Sequence, residues 1–323
     1  MTRRESKMFV LDSHCDTPTE ILNSRDLSLD NKTGHVDFPK LLRGEVDGAF
    51  FALYVPASMS EEESYAYAHK MLAGVNDTLV ANPDKAVLTT TATQAYANKS
   101  KGLFSVFLGL ENASPFGHSL DRIHEFYAAG VRYTTLCHSR DNAVCDSCAG
   151  GGKWGGLSQF GREVVAEMNK VGMLVDVSHV SDNTFYDVIE VSSKPVVATH
   201  SCCRALAEHP RNMTDDMIRT LAAAGGVLQV NFYPVFLSPD PSPSYRVIAD
   251  HIDHIVSLVG IDHVGIGSDF DGIEITPVGM DDISGMPLLF EELRHRGYSE
   301  ADLSKIASGN FFRVLNESSC SGA

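Results

Sequence analysis

The chain has 323 residues, room for roughly two average domains or for one (β/α)8 barrel, which needs about 250. Its 43% hydrophobic and 21% charged residues exclude a disordered, collagen-like or mucin-like chain. A net charge of −16, from 42 acidic and 26 basic residues, repels phosphate backbones and sets nucleic acid aside as a partner.

No apolar stretch approaches the roughly 18 residues of a membrane-spanning helix. The apolar run near the N-terminus, 8–11, is shorter than a signal-peptide core of about 7–15 residues, and the C-terminal LNESSCSGA is polar. The expected location is therefore the cytoplasm, with no membrane attachment. Seven cysteines thinly spread over this length are not a disulfide framework. Cys145 and Cys148 form a single CxxC; a structural zinc site would want a second pair at suitable spacing, so reduced loop thiols are expected.

Taken in order, eight strand-like runs occur at 9–12, 48–55, 103–110, 132–136, 173–177, 195–198, 226–231 and 263–267. They are continuously apolar rather than alternating, as in a parallel sheet buried on both faces. Helical patterns separate them at 61–80, 121–129, 158–171, 182–191, 215–224 and 245–259. Ser181 and Thr214 stand as N-caps, and Gly130, Gly172 and Gly260 close helices. The stretch 299–316 reads as two short helices closing the bottom or edge. Eight alternations without a linker predict an α/β fold: a single (β/α)8 TIM-type barrel over residues 1–323, its active site at the C-terminal rim of the strands. A doubly wound open sheet is the alternative, weakened by the lack of a GxGxxG after the first run. Two long connections, 139–157 and 233–244, belong with the active-site walls.

Metal-type residues fall at the ends of six runs: His14 and Asp16, Glu111, His138, His179, His200 and Asp269. Residues i and i+2 of a strand face one side, so His14 and Asp16 can reach one ion. Each residue alone reads equally as a capped strand end or a hydrogen-bonded rim group. Together, His14, His179, His200, Asp16 and Glu111 offer three nitrogens and two carboxylates, a set suited to two zinc-like ions about 3.5–4 Å apart with one carboxylate bridging. The nucleophile would be a bridging hydroxide attacking an amide or ester carbon. Asp269 would carry its proton to the leaving group, and His138 would polarise the carbonyl or hold the oxyanion.

Those residues lie in HCD (14–16), HVDFPKLLRGEVDGAFFALYVP (35–56), GLE (109–111) and RYTTLCHS (132–139). Further on come GLSQFGREVVAEMNKVGMLVDVSHVS (156–181), VATHS (197–201), HPRNMTDDMIRTLAAAGGVLQVNFYP (209–234) and GIGSDFDG (265–272). The combination resembles the renal or membrane dipeptidase family of the amidohydrolase superfamily, from about residue 9 to 315. The resemblance implies that His14 and Asp16 bind one zinc, that His179 and His200 bind the other, and that Glu111 bridges both. It further implies that His138 contacts the scissile group, that Arg211 grips the substrate carboxylate, and that Asp269 shuttles the proton. The implied activity is zinc-dependent cleavage of dipeptides, D-residues on the C-terminal side included. Other metal-dependent amidohydrolases, an N-acyl-amino-acid deacylase or a lactonase, remain open, as does a metal-stabilised binding protein without catalysis. Barrels of this type often pair, so a homodimer is possible. His251 and His254 read as a solvated helix face, His118 as a loop residue, Trp154 as a loop anchor or pocket wall, and Phe311 and Phe312 as packing.

Overall fold

The computed structural model describes residues 8–319. Its strands are β1 (Leu11–Cys15), β2 (Gly48–Tyr54), β3 (Ala86–Leu88), β4 (Phe104–Glu111), β5 (Val131–Thr135), β6 (Leu174–Asp176), β7 (Val197–Ser201), β8 (Val227–Val230) and β9 (Val264–Ile266). All pairings are parallel, and eight strands form a nearly closed barrel in the order β1-β2-β4-β5-β6-β7-β8-β9. At the seam the Asp269 amide donates to His14 O at 3.0 Å and the Asp16 amide to Phe270 O at 2.9 Å. The expected barrel is therefore present. β3 lies outside the ring and pairs with β4; it is not among the eight runs predicted from the sequence.

The strands are buried on both faces, as their unbroken apolar runs require. Phe50, Phe107 and Tyr133 point into the barrel. Phe50 lies 4.8 Å from the Phe107 ring and 5.0 Å from that of Phe311, which the C-terminal helix Asn310–Ser318 brings against the barrel interior. Phe311 and Phe312 are thus packing residues, as read. The outer strand faces meet amphipathic helices in a second, larger core. Ser181 and Thr214 cap the helices that follow them, accepting from the Thr184 and Met217 amides. Gly172 and Gly260 end theirs at φ +88° and +85°.

Period-2 alternation places the central acid. On β4, Phe107, Gly109 and Glu111 share the inward face, from core to rim. Gly109 is there for space: a Cβ would lie 2.2 Å from Tyr133 Cζ. β1 and β7 break register, between Asp12 and Cys15 and between Ala198 and Ser201, as the β4–β5 pair does between Leu108 and Gly109. Such bulges re-aim side chains, here His14 and His200. β1 also lies two to three residues later than its apolar run suggests. Its polar residues pair inside the barrel: Asp12 accepts from the Ser268 amide at 2.8 Å, and Ser13 Oγ donates to Thr199 O at 2.8 Å.

One helix face differs from expectation. His251, on the helix Arg246–Val259, is fully buried: its Nε2 lies 2.8 Å from Leu237 O and its Nδ1 accepts from the Cys203 amide. His254 is partly buried against Asp215 at 2.8 Å. The segment 234–237 covers what the helix pattern alone presents as a solvated face. Burial lowers the His251 pKa to about 4. The unfolded chain therefore binds this proton first, and stability is lost as pH falls from about 6.5 towards 4. A loss on the order of 3 kcal/mol is expected over that window. Chemical denaturation across it should show a steeper acid decline in the wild-type protein than in His251→Gln.

Candidate active site

Seven side chains named from the sequence converge at the C-terminal ends of the strands. Glu111 stands at the centre, 2% exposed. Its Oε2 lies 3.5 Å from His14 Nε2, and its Oε1 lies 3.1 Å from His179 Nε2, 3.4 Å from His200 Nε2 and 4.0 Å from His138 Nε2. His14 Nε2 is also 3.7 Å from Asp16 Oδ2 and 3.9 Å from Asp269 Oδ1. The His14 and His200 rings stack at 3.7 Å, and His179 and His200 bring their Nε2 atoms to 3.0 Å.

Donor atoms gather in three overlapping groups: His14 with Glu111 and His200, Glu111 with His138 and His179, and His14 with Asp16 and Asp269. His138 and Asp269 thus stand beside the five ligand candidates, at the longest separations of the set, 4.0 and 3.9 Å. The set fits divalent metal. His14 Nε2 and Asp16 Oδ1 are buried without a hydrogen-bond partner, and nitrogen and carboxylate donors are what zinc-like ions take.

The electrostatics agree. Burial opposes a charge on His14, yet the carboxylates of Glu111 and Asp16 outweigh it and raise its pKa well above the usual range. Burial would raise Glu111 too, but His14, with the rings of His179 and His200 beside it, holds it well below. Positive charge is thus drawn to the gap between His14 and the acids, a demand that a cation meets as a proton does. His179 and His200 are held neutral by burial, reinforced by Arg211 and the neighbouring imidazoles. Neutral imidazole is the ligating form.

The rim is strained where it carries these groups. His179, Asp269, Asp271 and Asn112 adopt φ values of +69°, +66°, +67° and +81°. Asp271 secures its loop, accepting from Arg25 Nη1 at 2.6 Å, the His35 amide at 2.8 Å and Thr17 Oγ1 at 2.9 Å. Asp269 accepts from Asn231 Nδ2 at 2.9 Å; burial raises its pKa and Glu111 adds to the rise, against the pull of His14.

Arg211 is 5% exposed. It donates to Ser201 Oγ at 2.7 Å and to His200 O at 2.8 Å, while its Nε lacks a partner. It forms no ion pair with Asp215 or Asp216, the surface alternative for such a residue. The loop 139–157 is held from within: Asp141 accepts from the Ser147 and Gly151 amides, and Trp154 Nε1 donates to Asn142 O at 2.8 Å. Trp154 is therefore a loop anchor, 43% exposed. His118 is an exposed residue near Glu61. Cys145 and Cys148 are free thiols, and none of the metal-type groups among the described residues includes a cysteine.

Three residues of this centre escaped the sequence reading. Tyr133 OH lies 2.8 Å from His14 Nδ1, Thr199 Oγ1 lies 2.8 Å from His200 Nδ1, and Asp176 lies behind Thr199 at 2.6 Å. Their only signal was a polar atom inside an apolar strand.

A parallel barrel with histidines and carboxylates converging at its C-terminal rim is the layout of a metal-dependent barrel enzyme. The chain belongs to the membrane dipeptidase family, peptidase family M19, whose model matches residues 3–321. It is 33% identical over 324 residues to dipeptidase verJ of Clonostachys rogersoniana, covering 95% of this chain and 83% of that protein. It resembles the structure of a metallo peptidase from Rhodobacter sphaeroides liganded with a phosphinate mimic of the dipeptide L-Ala-D-Ala, with a TM-score of 0.91 and 28% identity over 97% of this chain and 100% of that one. The probable dipeptidase PvdM from Pseudomonas aeruginosa shares the fold at a TM-score of 0.92, with 24% identity over 97% and 96% of the two chains. Among the described residues no helix is long and apolar enough to cross a membrane.

Proposed function

We propose that residues 1–323 act as one barrel domain, a binuclear zinc dipeptidase that hydrolyses L,L- and L,D-dipeptides. The observation that carries the reading is Glu111, one oxygen turned to His14 and the other to His179 and His200. His14 and Asp16 would hold one ion, His179 and His200 the other, and Glu111 both. Paired ions of this kind activate a water near neutral pH and polarise the scissile carbonyl.

The remaining groups serve the substrate. Asp269, with a raised pKa and Asn231 fixing one oxygen, takes the water proton and delivers it to the leaving amine. His138, kept neutral mainly by burial, donates from its ring to the carbonyl oxygen as charge develops there. Arg211 holds the terminal carboxylate, which would otherwise be drawn onto the ions and seat the substrate backwards. A clamp at that end reads the carboxylate rather than the α-carbon configuration. The L-Ala-D-Ala mimic in the Rhodobacter sphaeroides structure supports acceptance of a D-residue.

Arg211→Met tests the substrate class. The expected cost is roughly 2–5 kcal/mol in kcat/KM on dipeptides, the scale for losing one partner of a buried charge pair, and much less on dipeptide amides. Equal losses on both would remove Arg211 from carboxylate recognition. Turnover of a lactone or an N-acyl amino acid in preference to every dipeptide would favour the wider amidohydrolase reading.

A further inference from the structure

We propose that Asp176, acting through the hydroxyl of Thr199, fixes the tautomer of His200 and thereby aims its Nε2 lone pair at the metal site. The inference rests on the proposed role of His200 as a ligand, and it adds a positioning residue that does not touch metal or substrate.

Counting protons around Asp176 fixes the tautomer. Asp176 ends β6, is fully buried, and faces into the barrel beside β7. Its two oxygens receive four donors: the Ser178 amide at 3.0 Å, the Thr199 amide at 2.9 Å, Thr199 Oγ1 at 2.6 Å and Thr135 Oγ1 at 2.6 Å. The single Thr199 hydroxyl proton is therefore spent on Asp176. Yet Thr199 Oγ1 also lies 2.8 Å from His200 Nδ1. With its own proton committed, that oxygen can only accept, so Nδ1 must carry the ring proton.

A neutral imidazole protonated at Nδ1 has its lone pair at Nε2. That atom faces Glu111 Oε1 at 3.4 Å and His179 Nε2 at 3.0 Å. The ring itself is held by its stack on His14 at 3.7 Å and by Thr199, and its backbone is held on both sides. The His200 amide donates to Ser178 Oγ at 3.2 Å, and its carbonyl accepts from Arg211 at 2.8 Å. Partners behind a ligating histidine set its tautomer and its basicity, and losing one typically costs 10–100-fold in metal affinity.

The substitutions separate hydrogen bonding from packing. Thr199→Val keeps the branched shape and removes the hydroxyl; Thr199→Ser keeps the hydroxyl. Asp176→Asn can reverse the chain: its amide donates to Thr199, whose proton then turns to Nδ1 and leaves the ring protonated at Nε2. Zinc affinity by chelator competition and the visible spectrum of the cobalt-loaded protein report on the site without any turnover. Thr199→Val and Asp176→Asn should weaken one of two bound ions by about 10–100-fold, with Thr199→Ser restoring affinity to within about threefold. Unchanged affinity in Thr199→Val, or equal damage in Thr199→Ser, would overturn the relay. Should a variant fail to fold, long-range nitrogen–proton NMR of the metal-free wild-type protein decides. An Nδ1-protonated His200 is expected, and an Nε2-protonated ring would contradict the proposal. Wild-type protein that takes up no metal would instead count against the dipeptidase reading, and the tautomer measurement would still judge the relay.

Discussion

Glu111→Gln is expected to lose paired metal uptake and nearly all turnover. The substitution keeps the shape but turns one acceptor into a donor. Either oxygen lost is costly: one side faces His14, and the other faces His179 and His200. An amide nitrogen within 3.5 Å of those ring nitrogens would set donor against ligand or exclude the ion. The local charge balance also changes, since Glu111 is a major source of the field that raises His14. Removing one partner from a buried charge pair costs about 3–5 kcal/mol. That is a folding cost; on kcat the loss should exceed the roughly 10–100-fold typical of groups one step further from a metal. Elemental analysis after dialysis, beside kcat, checks both halves. Two ions retained with near-normal kcat would return Glu111 to a structural role.

The second large effect is expected from Asp269→Asn. The backbone there sits at φ +66°, a conformation that Asn tolerates better than most residues, so the loop should keep its form. Asn can still accept from Asn231, which preserves the side chain's orientation. What disappears is basicity. If Asp269 moves the proton, kcat should fall by about 10²–10⁴ with metal content unchanged. The distance of 3.9 Å to His14 Nε2 makes a ligand role the physical alternative. That role would show as loss of an ion along with the rate, whereas near-normal kcat with full metal would exclude the proton role.

The residues that were legible and those that were not differ for physical reasons. The eight barrel strands stood out because each is buried on both faces and so carries apolar residues without strict alternation. The candidate ligands stood out because carboxylates and imidazoles at strand ends have few other reasons to recur. Tyr133, Thr199 and Asp176 were invisible because a tyrosine, threonine or aspartate in an apolar run also reads as packing or a strand terminus. Only the cross-barrel distances show that they stand behind His14 and His200. The register breaks in β1 and β7 were equally hidden, since a bulge changes direction without changing composition. His251 was misjudged for a different reason. Helical spacing says which residues share a face, but not that segment 234–237 comes down to cover it.

The central claim is that two ions on this rim cleave dipeptides. Metal-free protein titrated with zinc, while hydrolysis of matched L,L- and L,D-dipeptides is followed, tests it most directly. The account predicts turnover of both series that rises with added metal and saturates at two ions per chain. Full activity at one ion or none, or two bound ions with no cleavage of any dipeptide, would contradict it.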